Sequence, residues 1–193
     1  MSREVFKQSI GYLLEVVAEI KPEQWDQNAI GNWTVRHLVG HASRSLGRLE
    51  EHAAASPVQP TGVDVTTSSD DRGFAAAKAL GDDPLGALKT LADRVLPFVG
   101  SLPQDYVLDL PQGQRSIDDF MPSRIQEVTV HAMDIAAAIG SGIQPPVECL
   151  RASLYYHADR AIERNQAVEL VLALTGREPL SEGFNLVGPL PKP

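Results

Sequence analysis

The sequence predicts an all-α protein: a bundle of four core helices with short accessory helices and an irregular C-terminal tail. Three observations predict it. Apolar residues recur at three- and four-residue spacing over several long stretches. Proline, glycine and capping residues stand at the ends of those stretches. No series of β-branched runs alternates with them, which excludes a parallel α/β sheet. With 193 residues and 43% hydrophobic content, the chain is long enough to bury one core, and a single domain spanning residues 1–193 is expected.

In order along the chain, Phe6, Ile10, Leu13, Leu14 and Val17 form one apolar stripe and predict a helix from Arg3 to Ile20. Lys21-Pro22 stops it, because a residue before proline avoids helical geometry. Trp25 and a turn at Gly31-Asn32 follow. Thr34 reads as the N-cap of a second helix from Val35 to about Ala55, with Leu38, Ala42, Ser45, Leu46 and Leu49 facing inward. The stretch from Pro57 to Asp71, rich in Pro, Gly, Thr, Ser and Asp, reads as a long surface loop suited to shaping a pocket. A short helix is expected over Gly73–Leu80.

Asp83 as N-cap and Pro84 at the first helical position open a third long helix marked by Leu85, Leu88, Leu91, Val95 and Phe98, to be kinked or stopped near Pro97. Tyr106–Leu110 alternates and predicts a short extended piece. A fourth helix begins at Ile117 or Pro122 and runs to Ile139, where Gly140 and Gly142 end it. Pro145-Pro146 opens a last helix from Val147 to Thr175, ended by Gly176, and an irregular tail covers 176–193.

The formal net charge of −8 disfavours nucleic acid and anionic membranes as partners, since both require clustered Lys and Arg. The single cysteine, Cys149, excludes an intramolecular disulfide and reads as a small buried hydrophobe. No signal-peptide core and no membrane-length apolar run is present, so a cytoplasmic protein with a small-molecule substrate is expected. Outer helix faces leave room for a homodimer. Serine-hydrolase elbows, Walker loops, GxGxxG and CxxC are all lacking.

The chemistry concentrates on the fourth helix. Glu127 and His131 are four residues apart and share one face, so a carboxylate and an imidazole can chelate one divalent ion. Asp134, three residues further, is placed to accept a hydrogen bond from the free imidazole nitrogen. Arg124 is placed to pair with Glu127 or with a substrate carboxylate. On the second helix, His41 points inward beside Leu38 and Ala42, and two readings stand for it. It hydrogen-bonds a core carboxylate or carbonyl, or it completes a His-Glu-His site that leaves one coordination position open. His37, nearer the helix start, reads as an exposed residue rather than a further ligand. Trp25 and Trp33 read as packing the first loop against the bundle, with a pocket floor as the alternative for Trp33.

Three stretches carry a family resemblance. Trp33-Thr34-Val35-Arg36-x-Leu38-Val39-x-His41 resembles the helix-two signature of the mycothiol-dependent maleylpyruvate isomerase and DinB-like superfamily. Arg124-Ile125-x-Glu127-x-x-Val130-His131-Ala132-x-Asp134-Ile135-Ala136 resembles its helix-four signature, and Leu172–Arg177 resembles its last helix end. His37 stands where the family commonly carries an acidic residue, and Met133 where it commonly carries tryptophan. The resemblance implies a DinB-like four-helix bundle with a divalent metal, usually zinc, held by His41, Glu127 and His131. It also implies mycothiol as cosubstrate, with thiol transfer or isomerisation of a small electrophile as the activity. The family's maleylpyruvate isomerases carry a further C-terminal domain where this sequence has a short tail, so a different electrophile is expected. Two rival readings share the same ligands: a hydrolase using metal-bound water, and a non-catalytic metal-binding bundle.

Overall fold

The computed structural model describes residues 2–54, 69–110 and 113–187. Helix α1 (Ser2–Ala18) buries Phe6, Ile10, Leu13 and Val17, the stripe that its spacing predicts. It ends short of Lys21-Pro22, and a 3-10 turn covers Pro22–Gln24. Strands β1 (Asn28–Ile30) and β2 (Trp33–Thr34) form a small antiparallel hairpin about Gly31. This first loop is tied down by side chains. Gln24 donates to the Ile139 carbonyl at 3.1 Å and Gln27 to the Ala138 carbonyl at 2.6 Å.

Helix α2 (Val35–Ala54) follows directly. Its start is reciprocal: Thr34 Oγ1 accepts from the His37 backbone N–H at 3.4 Å, and His37 Nδ1 accepts from the Thr34 N–H at 3.2 Å. That is a capping box with imidazole in the place of the usual Glu or Gln. Helix α3 (Ser69–Ala79) begins four residues earlier than expected, so the end of the predicted loop is helical, while its stretch up to 68 lies outside the described residues. Helix α4 (Pro84–Ser101) is capped by Asp83, whose carboxylate accepts from the Gly86 N–H at 2.9 Å. The helix continues through Pro97 to Ser101 rather than stopping there.

Strands β3 (Val107–Leu110) and β4 (Gly113–Ser116) pair antiparallel, so the expected extended piece becomes a hairpin. Helix α5 (Ile117–Ile139) starts at Ile117, because Ser116 Oγ caps the Asp119 N–H at 3.1 Å. It ends where Gly140 adopts a left-handed φ of 71° and the Ser141 N–H returns to the Ala136 carbonyl.

The predicted last helix is two helices, α6 (Val147–Glu163) and α7 (Ala167–Leu174). Asn165 breaks it with a φ of 56°, a conformation that asparagine tolerates better than most residues. The Gln166 N–H then turns back to the Ala161 carbonyl at 2.8 Å. Residues 176–187 contain no helix or strand, and the end of the predicted tail lies outside the described residues.

Helices α1, α2, α4 and α5 make the four-helix bundle, all-α and DinB-like. Phe6, Leu13, Leu38, Leu46, Leu88, Ile125 and Ile135 meet in its core. Helix α3 lies on α2, and α6 lies on α5 and α1. Helix α7 buries none of its residues. Among the described residues, no helix is long and apolar enough to cross a membrane.

Candidate metal centre

On α2, Leu38, Val39, Ala42, Leu46 and Leu49 are fully buried. This fixes the helix's rotation and sets His41 at the edge of the core, its side chain 13% exposed. On α5, the buried Ile125, Val128, Ala132 and Ile135 do the same for Glu127 and His131. The two helices pack together, and the three side chains converge.

The ligand atoms of His41, Glu127 and His131 all lie within 4.8 Å of one another. Glu127 Oε1 is 3.3 Å from His41 Nε2 and 3.6 Å from His131 Nε2. Those separations are long for charge-assisted hydrogen bonds of about 2.7–2.9 Å. They match the spacing of about 3.4 Å between neighbouring ligands of a tetrahedral ion with bonds of about 2.1 Å. The donor set of two imidazoles and one carboxylate therefore fits a divalent metal in both chemistry and spacing.

The surroundings hold these rings in place. The Trp33 ring lies 4.7 Å from the His41 ring, tilted by 44°, and the His41 and His131 rings meet edge-on at 4.8 Å. Gly73 of α3 backs onto both His41 and Trp33. Asp134 Oδ2 stands 3.4 Å from His131 Nδ1, on the side away from Glu127.

Electrostatics agree with a cation-binding cluster. Burial opposes the charge on Glu127, yet His131, His41 and Arg124 together hold its carboxyl far below the usual range. Burial also opposes the charge on His131, but Asp134 and Glu127 outweigh it and raise the imidazole to about 9. His41 shifts downward, chiefly through burial.

The remaining predicted residues fall as follows. His37 is taken up by the α2 cap and by an edge-on contact with Phe74 at 4.3 Å, outside the cluster. Arg124 stays beyond ion-pair distance of Glu127. It lies over the Phe120 ring at 5.0 Å and donates through Nε to Ser123 Oγ at 3.3 Å. Cys149 is buried, burial pushes its thiol pKa up, and its Sγ lies 3.6 Å from the Val5 carbonyl oxygen.

A cavity of about 240 Å³ opens beside the cluster, lined by His41 and Glu127 together with Arg44, Arg48, Arg72, His52 and Arg124. The sequence reading missed Arg44, Arg48 and His52. Their signal was present in the spacing, since residues 41, 44, 48 and 52 step along one face of α2 as 120, 124, 127 and 131 step along α5.

Over residues 6–136, about two thirds of the 193-residue chain, the sequence matches the family described as Mycothiol maleylpyruvate isomerase N-terminal domain. The chain belongs to that family. Comparison with curated proteins and with solved structures found no match. As a mycothiol maleylpyruvate isomerase N-terminal domain, the chain has all three clustered side chains inside the matched stretch, which begins within α1 and ends within α5. Helices α6 and α7 follow it.

Proposed function

We propose that this protein is a metal-dependent thiol transferase or isomerase, with mycothiol as the thiol and a small electrophile as the second substrate. The observation that carries the reading is the His41–Glu127–His131 cluster, at ligand spacing, in a member of a mycothiol-associated family. In this reading the three side chains are the metal ligands, and zinc suits two imidazoles and a carboxylate. A divalent ion with three protein ligands keeps one position open and lowers the pKa of a thiol presented to it, so that thiolate is available at neutral pH.

The chain's own residues do the rest. Asp134 orients His131 from its outer nitrogen and favours the tautomer that directs Nε2 inward. Trp33 packs on His41 and limits its rotation. The cavity beside the cluster gives the electrophile a place within reach of the sulfur.

The test joins metal analysis to turnover. Purified protein is expected to carry one divalent ion per chain, and His41→Ala or Glu127→Ala to lose most of it. Turnover of a panel of electrophiles is expected to require mycothiol and to fall by at least about a hundredfold in either variant, the scale seen when a catalytic metal environment is lost. Turnover that persists without thiol would overturn the transferase reading in favour of hydrolysis. Unchanged metal content in both variants would overturn the ligand assignment.

A further inference from the structure

The chain carries a formal charge of −8, yet among the described residues four arginines and a single acidic residue, Glu127, line the cavity beside the metal cluster. Arg44 and Arg72 are engaged in further interactions. Arg48 and Arg124 are different. Among the described residues, neither has a carboxylate within ion-pair distance, and both are half-buried.

Their direct contacts fix them without an ion pair, although the Glu127 charge acts on Arg124 from beyond contact distance. Arg48 donates through Nη2 to His52 Nε2 at 3.3 Å, which makes that nitrogen the unprotonated acceptor of a neutral imidazole. Arg124 uses Nε on Ser123 and its face on the Phe120 ring, and among the described residues its two Nη groups make no hydrogen bond. A half-buried guanidinium with no carboxylate in direct contact is partly stripped of water, which favours an anion at its free N–H groups. Guanidinium groups held at the wall of a cavity match carboxylate and phosphate oxygens by geometry as well as by charge.

We propose that Arg48 and Arg124 form an anion-binding subsite, so that the small molecule taken by this cavity carries a carboxylate or phosphate group beside its reacting end. The inference deepens the transferase reading, because it names the chemical class of the electrophile. It rests on that reading only for identifying the anion as substrate. The cavity's volume of about 240 Å³ suits a small organic acid or phosphate ester. That is below the ~300–1,000 Å³ typical of pockets for drug-sized ligands. A polyanion such as nucleic acid has no comparable access, since the basic groups are sunk in a protein that is acidic overall.

Metal-loaded protein is to be titrated by calorimetry with succinate, with inorganic phosphate and with uncharged succinamide, in low-salt buffer without thiol. Succinate or phosphate is expected to bind, and succinamide not to. Arg48→Met and Arg124→Met are each expected to weaken that binding about tenfold or more, the loss of a charge-assisted hydrogen bond. Arg124→Lys should recover part of it. Circular dichroism and metal content equal to the parent protein qualify each variant, and Arg48→Met alone suffices if Arg124→Met does not fold. The anion bound more tightly identifies the substrate group as carboxylate or phosphate.

Binding that is the same in both arginine variants as in the parent would overturn the inference, as would equal binding of succinamide or no binding of either anion. No thiol or turnover enters this measurement. Failure of the thiol assay therefore leaves the subsite standing, and arginine variants that bind normally while thiol-dependent turnover persists sink the subsite alone.

Discussion

At the scale of single residues, identity and surroundings contribute separately. His37, His41 and His52 lie on one helix, yet the first caps it, the second joins a metal-ligand cluster and the third receives a hydrogen bond from arginine in the cavity wall. His52 is 7% exposed, and burial, followed by the charges of Arg48 and Arg124, lowers its pKa from the ordinary 6.5. A histidine that stays neutral in the folded state binds fewer protons than in the unfolded chain. Its stabilisation is therefore complete above the unfolded value of 6.5 and is lost as the pH falls through the lower folded value. Denaturant unfolding of His52→Gln at about pH 7 and about pH 5 should show a smaller acid-induced loss of stability than the parent. An equal loss would show that His52 does not carry the effect. His37, His41 and His157, also lowered by burial, add slope of the same sign, and His131, raised to about 9, opposes it.

At the scale of elements, the position of α3 decides how closed the site is. Gly40 of α2 faces the backbone of Ala77 in α3 so closely that any Cβ there would overlap it. The glycine is needed for that approach, and the approach brings Gly73 against His41 and Trp33. Gly40→Val is expected to displace α3 and open the cavity while α1, α2, α4 and α5 keep their packing. The cost should be about 1–3 kcal/mol, typical of overpacking. Hydrogen exchange would check it, with faster exchange confined to α3 and the adjoining turn of α2. Protection unchanged in α3 would show that the contact is not what seats it. Capping was readable from sequence at Asp83 and Thr34, because each cap is a local event within one turn. The break at Asn165 was not, because the apolar spacing runs on through Leu170 and Leu174 and masks a single left-handed residue.

For the molecule as a whole, the cluster joins two helices that are far apart in sequence. His41 comes from α2, and Glu127 and His131 come from α5, so an ion bound there would link the two directly. Stripping the metal with a chelator should lower the melting temperature by about 5–10 °C when the ion is held at roughly a hundred times its Kd, equivalent to about 2.7 kcal/mol. The helical circular-dichroism signal should persist, because the core of Phe6, Leu13, Leu38, Ile125 and Ile135 does not depend on the ligands. A melting temperature indifferent to chelation would argue that no ion bridges the helices.

The sequence by itself determined the class of fold, the order of the bundle helices and most of their ends. Each of these follows from spacing and capping within a few turns of chain. It also placed Glu127 and His131 on one face, since both belong to one rigid helix. The convergence of His41 with that pair was decided only by tertiary structure, because it depends on how α2 and α5 pack across a sequence separation of 86. The same packing brought Arg48 and Arg124 to one cavity wall. Spacing along each helix could align these residues, but it could not say which two faces would meet.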